Sequence, residues 1–422
     1  MTKKIIASLL AVMLFGGLVS CVNNEAPDGE ESESETKVET GGDETPDDPE
    51  TPDDPETPDD PETPDDPDPV PTTVALNSST KGIKVLGERA LASDSQINCD
   101  WTCSGIEFTF TSTGGALSVK ANSDAPCYFR AYVDGVEWVS ASGKAYYEVN
   151  GETEITVPAI PKGERTVRLI KVTGHTLARA ALTEMTFFGA LSETAPADKE
   201  LYIEFIGDSI SCGWGVMGTK DGKYTAQDGS LAYPYLVAKA LGADYSITAL
   251  SGQGLVFHGE NIPNMADGYL LSSPLRSGEA VYGFERQADV VVINIGTNDY
   301  SKGVSEAEFE AAYKALIETV RAKNGEDCKI VCLYNTMNDT YASTILSVCR
   351  ELGGQQGGVY SYKLSRAESG HPTSGENKAY AEAVKVAVDN AVKGIITEIP
   401  MTSENEGEGM SADFKTDFEP IS

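Results

Sequence analysis

The stretch Glu204-Phe-Ile-Gly-Asp-Ser209-Ile-Ser-Cys-Gly213 decides how the rest of the chain is read. It begins inside an apolar run, Leu201 to Ile206, that reads as a buried strand, and turns through Gly207 and Asp208 into Ser209. A serine at the carboxyl end of a parallel strand, where a helix begins, stands where open α/β sheets bind ligands. A helix N-terminus behind it offers free amide donors and a partial positive charge, both suited to an oxyanion. Asp and Ser are equally ordinary N-cap residues after any strand. The stretch alone leaves cap and nucleophile open, and its partners along the chain decide between them.

Downstream of Lys199 the pattern is strand then helix, repeated. The strand candidates are Leu201–Ile206, Asp244–Leu250, Val290–Ile295, Lys329–Tyr334 and Gly358–Lys363. Helical stretches lie at Tyr233–Leu241, Ser305–Lys323, Tyr341–Leu352 and from about Glu376 to Val392, and Ser305-Glu-Ala-Glu308 reads as a capping box. Alternating elements predict a doubly wound α/β domain over 199–396, with a parallel sheet of about five strands covered on both faces.

Upstream, residues 73–192 carry short alternating segments such as Ile106-Glu-Phe-Thr-Phe-Thr, Cys127-Tyr-Phe-Arg-Ala-Tyr-Val and Thr166-Val-Arg-Leu-Ile-Lys-Val, with turn signals at Val133-Asp-Gly135 and Asn150-Gly151. Many short strands without a long helical pattern predict a β-sandwich. Trp101, Tyr128, Tyr132 and Trp138 are either its core or a sugar-stacking face, core being the commoner use.

Residues 21–72 are Asp, Glu, Pro, Thr and Ser with almost nothing apolar, including Thr-Pro-Asp-Asp-Pro at Thr45, Thr51, Thr57 and Thr63. Like charges and prolines predict an extended spacer of ~3.1 Å per residue. Of the net charge of −34, residues 22–71 hold −20 (21 acids against one Lys) and 401–422 hold −5. The acid therefore belongs largely to spacer and tail (397–422) and describes solubility more than a binding surface. No basic stripe occurs, which argues against a nucleic-acid partner.

Residues 1–20 combine Lys3-Lys4 with an apolar run from Ile5 to Val19, too short to span a bilayer and typical of an export signal. Leu18-Val-Ser-Cys21 resembles a bacterial lipobox, which implies cleavage before Cys21, acylation of its thiol, and a protein lipid-anchored to the cell envelope, at the outer membrane. Seven cysteines follow Cys21. Cys328 and Cys332, four apart on one strand, stand ~13 Å apart and do not bridge. Cys99, Cys103 and Cys127 are close enough in sequence to supply one disulfide, which export permits. No Cys/His spacing suggests a metal site, and no cofactor is indicated.

A nucleophilic serine needs a base, something to orient the base, and donors aimed at the oxyanion. The α/β domain has two histidines, His258 and His371. His371 follows the last strand, on the edge where the first strand ends, and is the better base on topology. His258, after the second strand, lines the cleft or lies at the surface. Ser251-Gly252-Gln-Gly254 follows the second strand, where missing β-carbons let amides approach a bound group, and Gly296-Thr-Asn298-Asp299 follows the third. Each is an ordinary turn sequence singly. Together they converge on one edge with Ser209.

Gly207-Asp-Ser209, Gly252, Gly296-Thr-Asn298-Asp299 and His371-Pro372 resemble, in order, the four blocks of the SGNH (GDSL-type) hydrolases. The runs Ile206–Gly215, Gly229-Ser-Leu-Ala-Tyr-Pro-Tyr235 and Asp289–Asp299 are similar to carbohydrate esterase family 2, as are Gly163–Lys171 and Phe187-Phe-Gly189 in the preceding sandwich. The resemblance implies an N-terminal jelly roll and the metal-free removal of acetyl groups from plant polysaccharides or oligosaccharides. It implies Ser209 as nucleophile, His371 as general base and then acid, and an oxyanion hole from the Ser209 amide, the Gly252 amide and the Asn298 side chain. Many SGNH hydrolases carry Asp three residues before the histidine, where this chain has Glu368. Some relatives use a backbone carbonyl instead, so Glu368 is the third member or a solvated loop charge. Trp214, Tyr300 and Tyr341, near strand ends, suit stacking on sugar. The competing readings are a lipase or thioesterase with the same machinery, and a surface glycan-binding lipoprotein.

Overall fold

The computed structural model describes residues 70–218, 223–259, 261–276, 281–368 and 370–397. The export signal with Cys21, the acidic spacer up to residue 69 and the tail from 398 lie outside the described residues.

The N-terminal part is β-rich: β1 (Pro71–Ala75), β2 (Ile83–Leu86), β3 (Ile97–Asn98), β4 (Gly105–Ser112), β5 (Gly115–Val133), β6 (Val136–Trp138), β7 (Tyr147–Ile160), β8 (Gly163–Lys171) and β9 (Ala180–Leu191). The first strand thus starts two residues inside the stretch read as spacer. All nine join one antiparallel hydrogen-bonded sheet rather than two separate ones, because long strands change partners along their length. Strand β5 pairs with β7 from Gly115 to Phe129 and with β9 from Ser118 to Ser123, and its last residues pair with β8 and β6. Asn150-Gly151, a turn signal in the sequence, sits inside β7 opposite a register break between Ser123 and Cys127 of β5. The two strands bend together there instead of ending.

The second part is a mixed α/β fold. Strands β10 (Tyr202–Gly207), β11 (Asp244–Ala249), β12 (Val290–Asn294), β13 (Lys329–Tyr334) and β14 (Val359–Lys363) form a parallel sheet in the order β11-β10-β12-β13-β14. The helices are α1 (Tyr233–Leu241), α2 (Met265–Gly268), α3 (Thr297–Ser301), α4 (Glu306–Asn324), α5 (Ala342–Glu351) and α6 (Ser374–Val392). Strands β10, β11 and β12 are buried along their whole length, as a sheet covered on both faces requires. Ile203 and Phe205 of β10 pack with α1 and α6, whereas Tyr202 and Ile206 pack with α4 and α5. The second strand lies on one side of β10 and the third on the other, so the winding reverses around β10. Ligands bind at the carboxyl edge of such a reversal.

The two parts share a core and several ion pairs. Leu86, Tyr132, Ile170 and Val172 of the β-rich part pack with Tyr233, Tyr235 and Tyr245. Lys84–Asp244 (2.8 Å), Arg89–Glu204 (2.8 Å) and Arg130–Asp228 (2.7 Å) cross between them. Trp101 belongs to this junction, with Nε1 donating to the Ser272 carbonyl at 2.7 Å and a ring buried against His175. Tyr132 is buried too, so neither forms a stacking face, while Tyr128 and Trp138 are half-buried. Cys99, Cys103 and Cys127 are buried free thiols, not a disulfide. Cys103 packs in the shared core and the other two in the β-rich core, where burial raises the pKa of the Cys99 and Cys127 thiols.

Candidate active site

Strand β10 ends at Gly207, where a β-carbon would stand 2.1 Å from Ser211 Oγ and 3.1 Å from the Asn294 carbonyl. Only glycine lets the chain turn that closely. Gly207 leads into a compact turn and not the helix expected from the sequence. The Ser211 and Cys212 amides donate to the Asp208 carbonyl at 3.1 Å each, and Trp214 N–H donates to Ser209 O at 2.9 Å. Gly213 and Gly215, at φ +79° and +75°, stop the turn from propagating as a helix. Among the described residues the first α-helix of this part begins only at Tyr233.

Ser209 is 5% exposed, and its Oγ lies 2.7 Å from Nε2 of His371. With Nε2 unprotonated the hydroxyl donates to it. His371 arrives on the loop after β14, a loop tied down from α6. Thr373 and Glu376 form a second capping box, whose signal, Thr373-Ser-Gly-Glu376, is as visible in the sequence as the one at Ser305. The buried Asn377 donates to the carbonyls of Pro372 (3.1 Å) and Thr373 (3.0 Å), and accepts from Tyr233 N–H at 3.0 Å. The imidazole is thus fixed from the residue beside it.

Glu368 does not join the pair. Its side chain is exposed, and the hydrogen bond described for it is from its backbone N–H to Glu376 Oε1, at 2.9 Å. Helix α6 draws the backbone of residue 368 toward its own capping residue and leaves the Glu368 carboxylate in solvent.

Asn298 Nδ2 donates to the Gln253 carbonyl at 2.8 Å and to Asp208 Oδ2 at 3.3 Å. It therefore stands between the turn bearing Ser209 and the loop bearing Gly252, whose φ of +83° is open to glycine. Asp208 is fully buried and also accepts the Ile210 amide at 3.0 Å. Burial above all, and then the nearby Asp299 carboxylate, push its pKa up to about 7. Buried and bonded away from His371, Asp208 shapes the turn.

The flagged aromatic residues separate. The Trp214 ring is half-buried, 6.3 Å from the His371 ring. Tyr300 is 50% exposed. Tyr341 is core, stacked on Phe309 at 3.9 Å with its hydroxyl on the Val304 carbonyl, and offers no sugar face. His258 is exposed. Among the described residues no cluster of three or more His, Cys, Asp or Glu converges as metal ligands would.

Residues 205–391 match the GDSL-like Lipase/Acylhydrolase family. This is a GDSL-type (SGNH) hydrolase domain. The chain resembles Cellulase/esterase CelE of Acetivibrio thermocellus, 29% identical over 317 residues, or 69% of this chain. The chain spans 37% of CelE's length. An acetylxylan esterase / glucomannan deacetylase of Cellvibrio japonicus is 26% identical over 314 residues, covering 67% of this chain and 82% of that protein. Among solved structures, a family two carbohydrate esterase from Clostridium thermocellum, in complex with cellohexaose, aligns with TM-score 0.67 and 28% identity. That alignment covers 74% of this chain and 100% of the other.

Proposed function

We propose that the chain is a serine esterase that removes O-acetyl groups from plant cell-wall polysaccharides or oligosaccharides, of the xylan or glucomannan type. The observation that carries this reading is the 2.7 Å contact between Ser209 Oγ and His371 Nε2 at the switch point of the sheet, in a chain whose relatives are named as esterases of this kind. Ser209 Oγ attacks the acetyl carbonyl while His371 Nε2 takes its proton. The tetrahedral oxyanion is met by the Ser209 and Gly252 amides and by Asn298, whose longer 3.3 Å bond to Asp208 is the one an oxyanion competes for. Collapse expels the sugar hydroxyl, which recovers the proton from His371. Water, activated by the same imidazole, then cleaves the acetyl-serine to acetate.

Glu368 has no part in this mechanism, and His371 is positioned through the α6 cap beside it. Glu368→Gln is expected to keep kcat/KM within about threefold of wild type, under ~0.7 kcal/mol of transition-state stabilisation. A hundredfold loss would restore Glu368 as the orienting acid.

The β-rich part is read as a jelly-roll sandwich, which its antiparallel pairing and single apolar core support. The lipobox at Cys21 and the acidic spacer support export and lipid anchoring to the cell envelope. The test of function is acetate release from acetylated xylan, glucomannan and pectin, with p-nitrophenyl acetate and octanoate beside them. Release from at least one glycan and preference for the acetyl ester are expected. Preference for octanoate would favour a lipase, and no release from any glycan would favour a binding protein. Membrane association lost on Cys21→Ala would test the anchor in the same preparations.

A further inference from the structure

Asp299 closes the Gly-Thr-Asn-Asp block, and the proposed mechanism gives it no task. It is fully buried in α3. Its carboxylate accepts three backbone N–H groups in succession: Leu255 at 2.7 Å, Val256 at 2.8 Å and Phe257 at 2.9 Å. All three belong to the loop after β11 that carries Gly252. The loop packs so tightly on the carboxylate that a β-carbon on Gly254 would lie 2.7 Å from Asp299 Oδ1. Beside it, Asn298 Nδ2 holds the Gln253 carbonyl at 2.8 Å. Two adjacent residues thus fix four units of this loop, one by its carbonyl and three by their amides. Three fixed amides on its two oxygens satisfy the carboxylate without a cation.

The support beneath is rigid as well. Gly296, at φ +124°, lets the chain enter α3 directly over the stacked Phe309 and Tyr341 rings, where a β-carbon would meet Phe309 at 2.9 Å. The Asp299 carbonyl accepts the Val304 amide at 3.1 Å. The carboxylate is therefore anchored to the sheet and reaches out to a loop that is otherwise irregular.

We propose that Asp299 is a positioning residue of the oxyanion hole, setting the Gly252 amide by pinning residues 255–257 of its loop. The inference rests on the roles proposed for Ser209, Gly252 and Asn298. An oxyanion donor acts only when aimed at where charge develops, and a displacement of about 1 Å removes most of its effect.

The test uses the full-length protein and p-nitrophenyl acetate, comparing Asp299→Asn, Asn298→Ala and the double variant. Asparagine keeps the size but presents one acceptor oxygen and turns an NH2 toward the amides. Asp299→Asn is expected to lower kcat by about 10²–10³-fold, as loss of one oxyanion donor does, with KM within about threefold. The double variant should be less than about tenfold worse than the weaker single one, because both act on one hole. A folded Asp299→Asn with kcat within threefold of wild type overturns the proposal, as do single losses that multiply in full in the double variant. Should Asp299→Asn fail to fold, Gly254→Ala displaces the same carboxylate from the loop side and is judged by the same two criteria. Ser209→Ala is assayed in parallel. Turnover retained there overturns the underlying site, whereas a dead Ser209→Ala with an active Asp299→Asn overturns only the positioning role.

Discussion

Replacing Ser209 with alanine is expected to lower kcat for acetate release by about 10⁴–10⁶-fold, the range over which serine hydrolases fall when the nucleophile alone is removed. In the proposed mechanism the hydroxyl is the atom that forms the acyl bond, and the donors and binding surface left behind would retain only a residual rate over water. Binding should survive, so affinity for an unreactive acetylated oligosaccharide is expected to change by less than about threefold. The fold should survive as well. Among the described residues Ser209 Oγ bonds to His371 and to no backbone group, while the turn is carried by the Asp208 carbonyl and carboxylate and by Gly213. Kinetics on acetylated xylan, isothermal binding and thermal melting together check the three statements. Retention of more than about one per cent of kcat in a protein of wild-type melting temperature would place the nucleophile elsewhere. Ser211 is the nearest other serine in the turn, but it is fully buried with its Oγ on the Tyr233 hydroxyl at 2.9 Å.

The residues at this edge were legible in the sequence because each ends a strand whose apolar run is itself conspicuous. Ser209, Gly252, Asn298 and His371 fall after β10, β11, β12 and β14, and a parallel sheet gathers those ends on one side. Less legible was anything decided by packing across distance. Asp208-Ser209 followed by apolar residues reads as a helix start, but Gly213 and Gly215 take up left-handed conformations that end the turn, and a glycine does not announce its φ. Asn150-Gly151 reads as a hairpin turn until β5 bends beside it. Tyr341 sits where a cleft residue would, yet Phe309 of α4 claims its ring. Glu368 has the spacing of an orienting acid, whereas Glu376, eight residues on, takes its amide. Asp299 was visible as part of a motif, but its three partners lie 42 to 44 residues earlier. Spacing identifies which residues share an edge; it does not say which of them touch.

The same limit hides what holds the site strand in place, and here the second large effect is expected. Glu204 is an acid in the middle of β10, 1% exposed, five residues before the proposed nucleophile. Its partner, Arg89, comes from the β-rich part, 115 residues away. Arg89 Nε and Nη2 donate to Glu204 Oε1 at 3.1 and 2.8 Å, and Nη1 donates to the carbonyls of Tyr269 (2.7 Å) and Leu271 (3.0 Å). The guanidinium lies over the rings of Tyr282 and Tyr269, 4.3 and 4.9 Å from their centroids. Burial, the largest influence, would depress its pKa, but Glu204 together with Tyr269 and Tyr202 outweighs it and the net shift is upward. Glu204 in turn accepts the hydroxyls of Tyr269 (2.9 Å) and Thr248 (3.2 Å). Arg89→Ala would leave that carboxylate buried without a cation and two carbonyls without donors, a loss of about 3–5 kcal/mol. At roughly 2–4 °C per kcal/mol for a body of this size, melting should fall by about 10 °C. The pair need not be stabilising relative to apolar residues, because desolvating two charges offsets most of their attraction. Arg89→Met combined with Glu204→Leu is therefore expected to recover at least about 2 kcal/mol of what Arg89→Ala loses, with the Tyr269 and Leu271 carbonyls accounting for the remainder. Urea unfolding of the single and double variants separates these terms. A single-variant loss under about 1 kcal/mol would mean that water enters to solvate Glu204, and that this strand is not held by its charge pair.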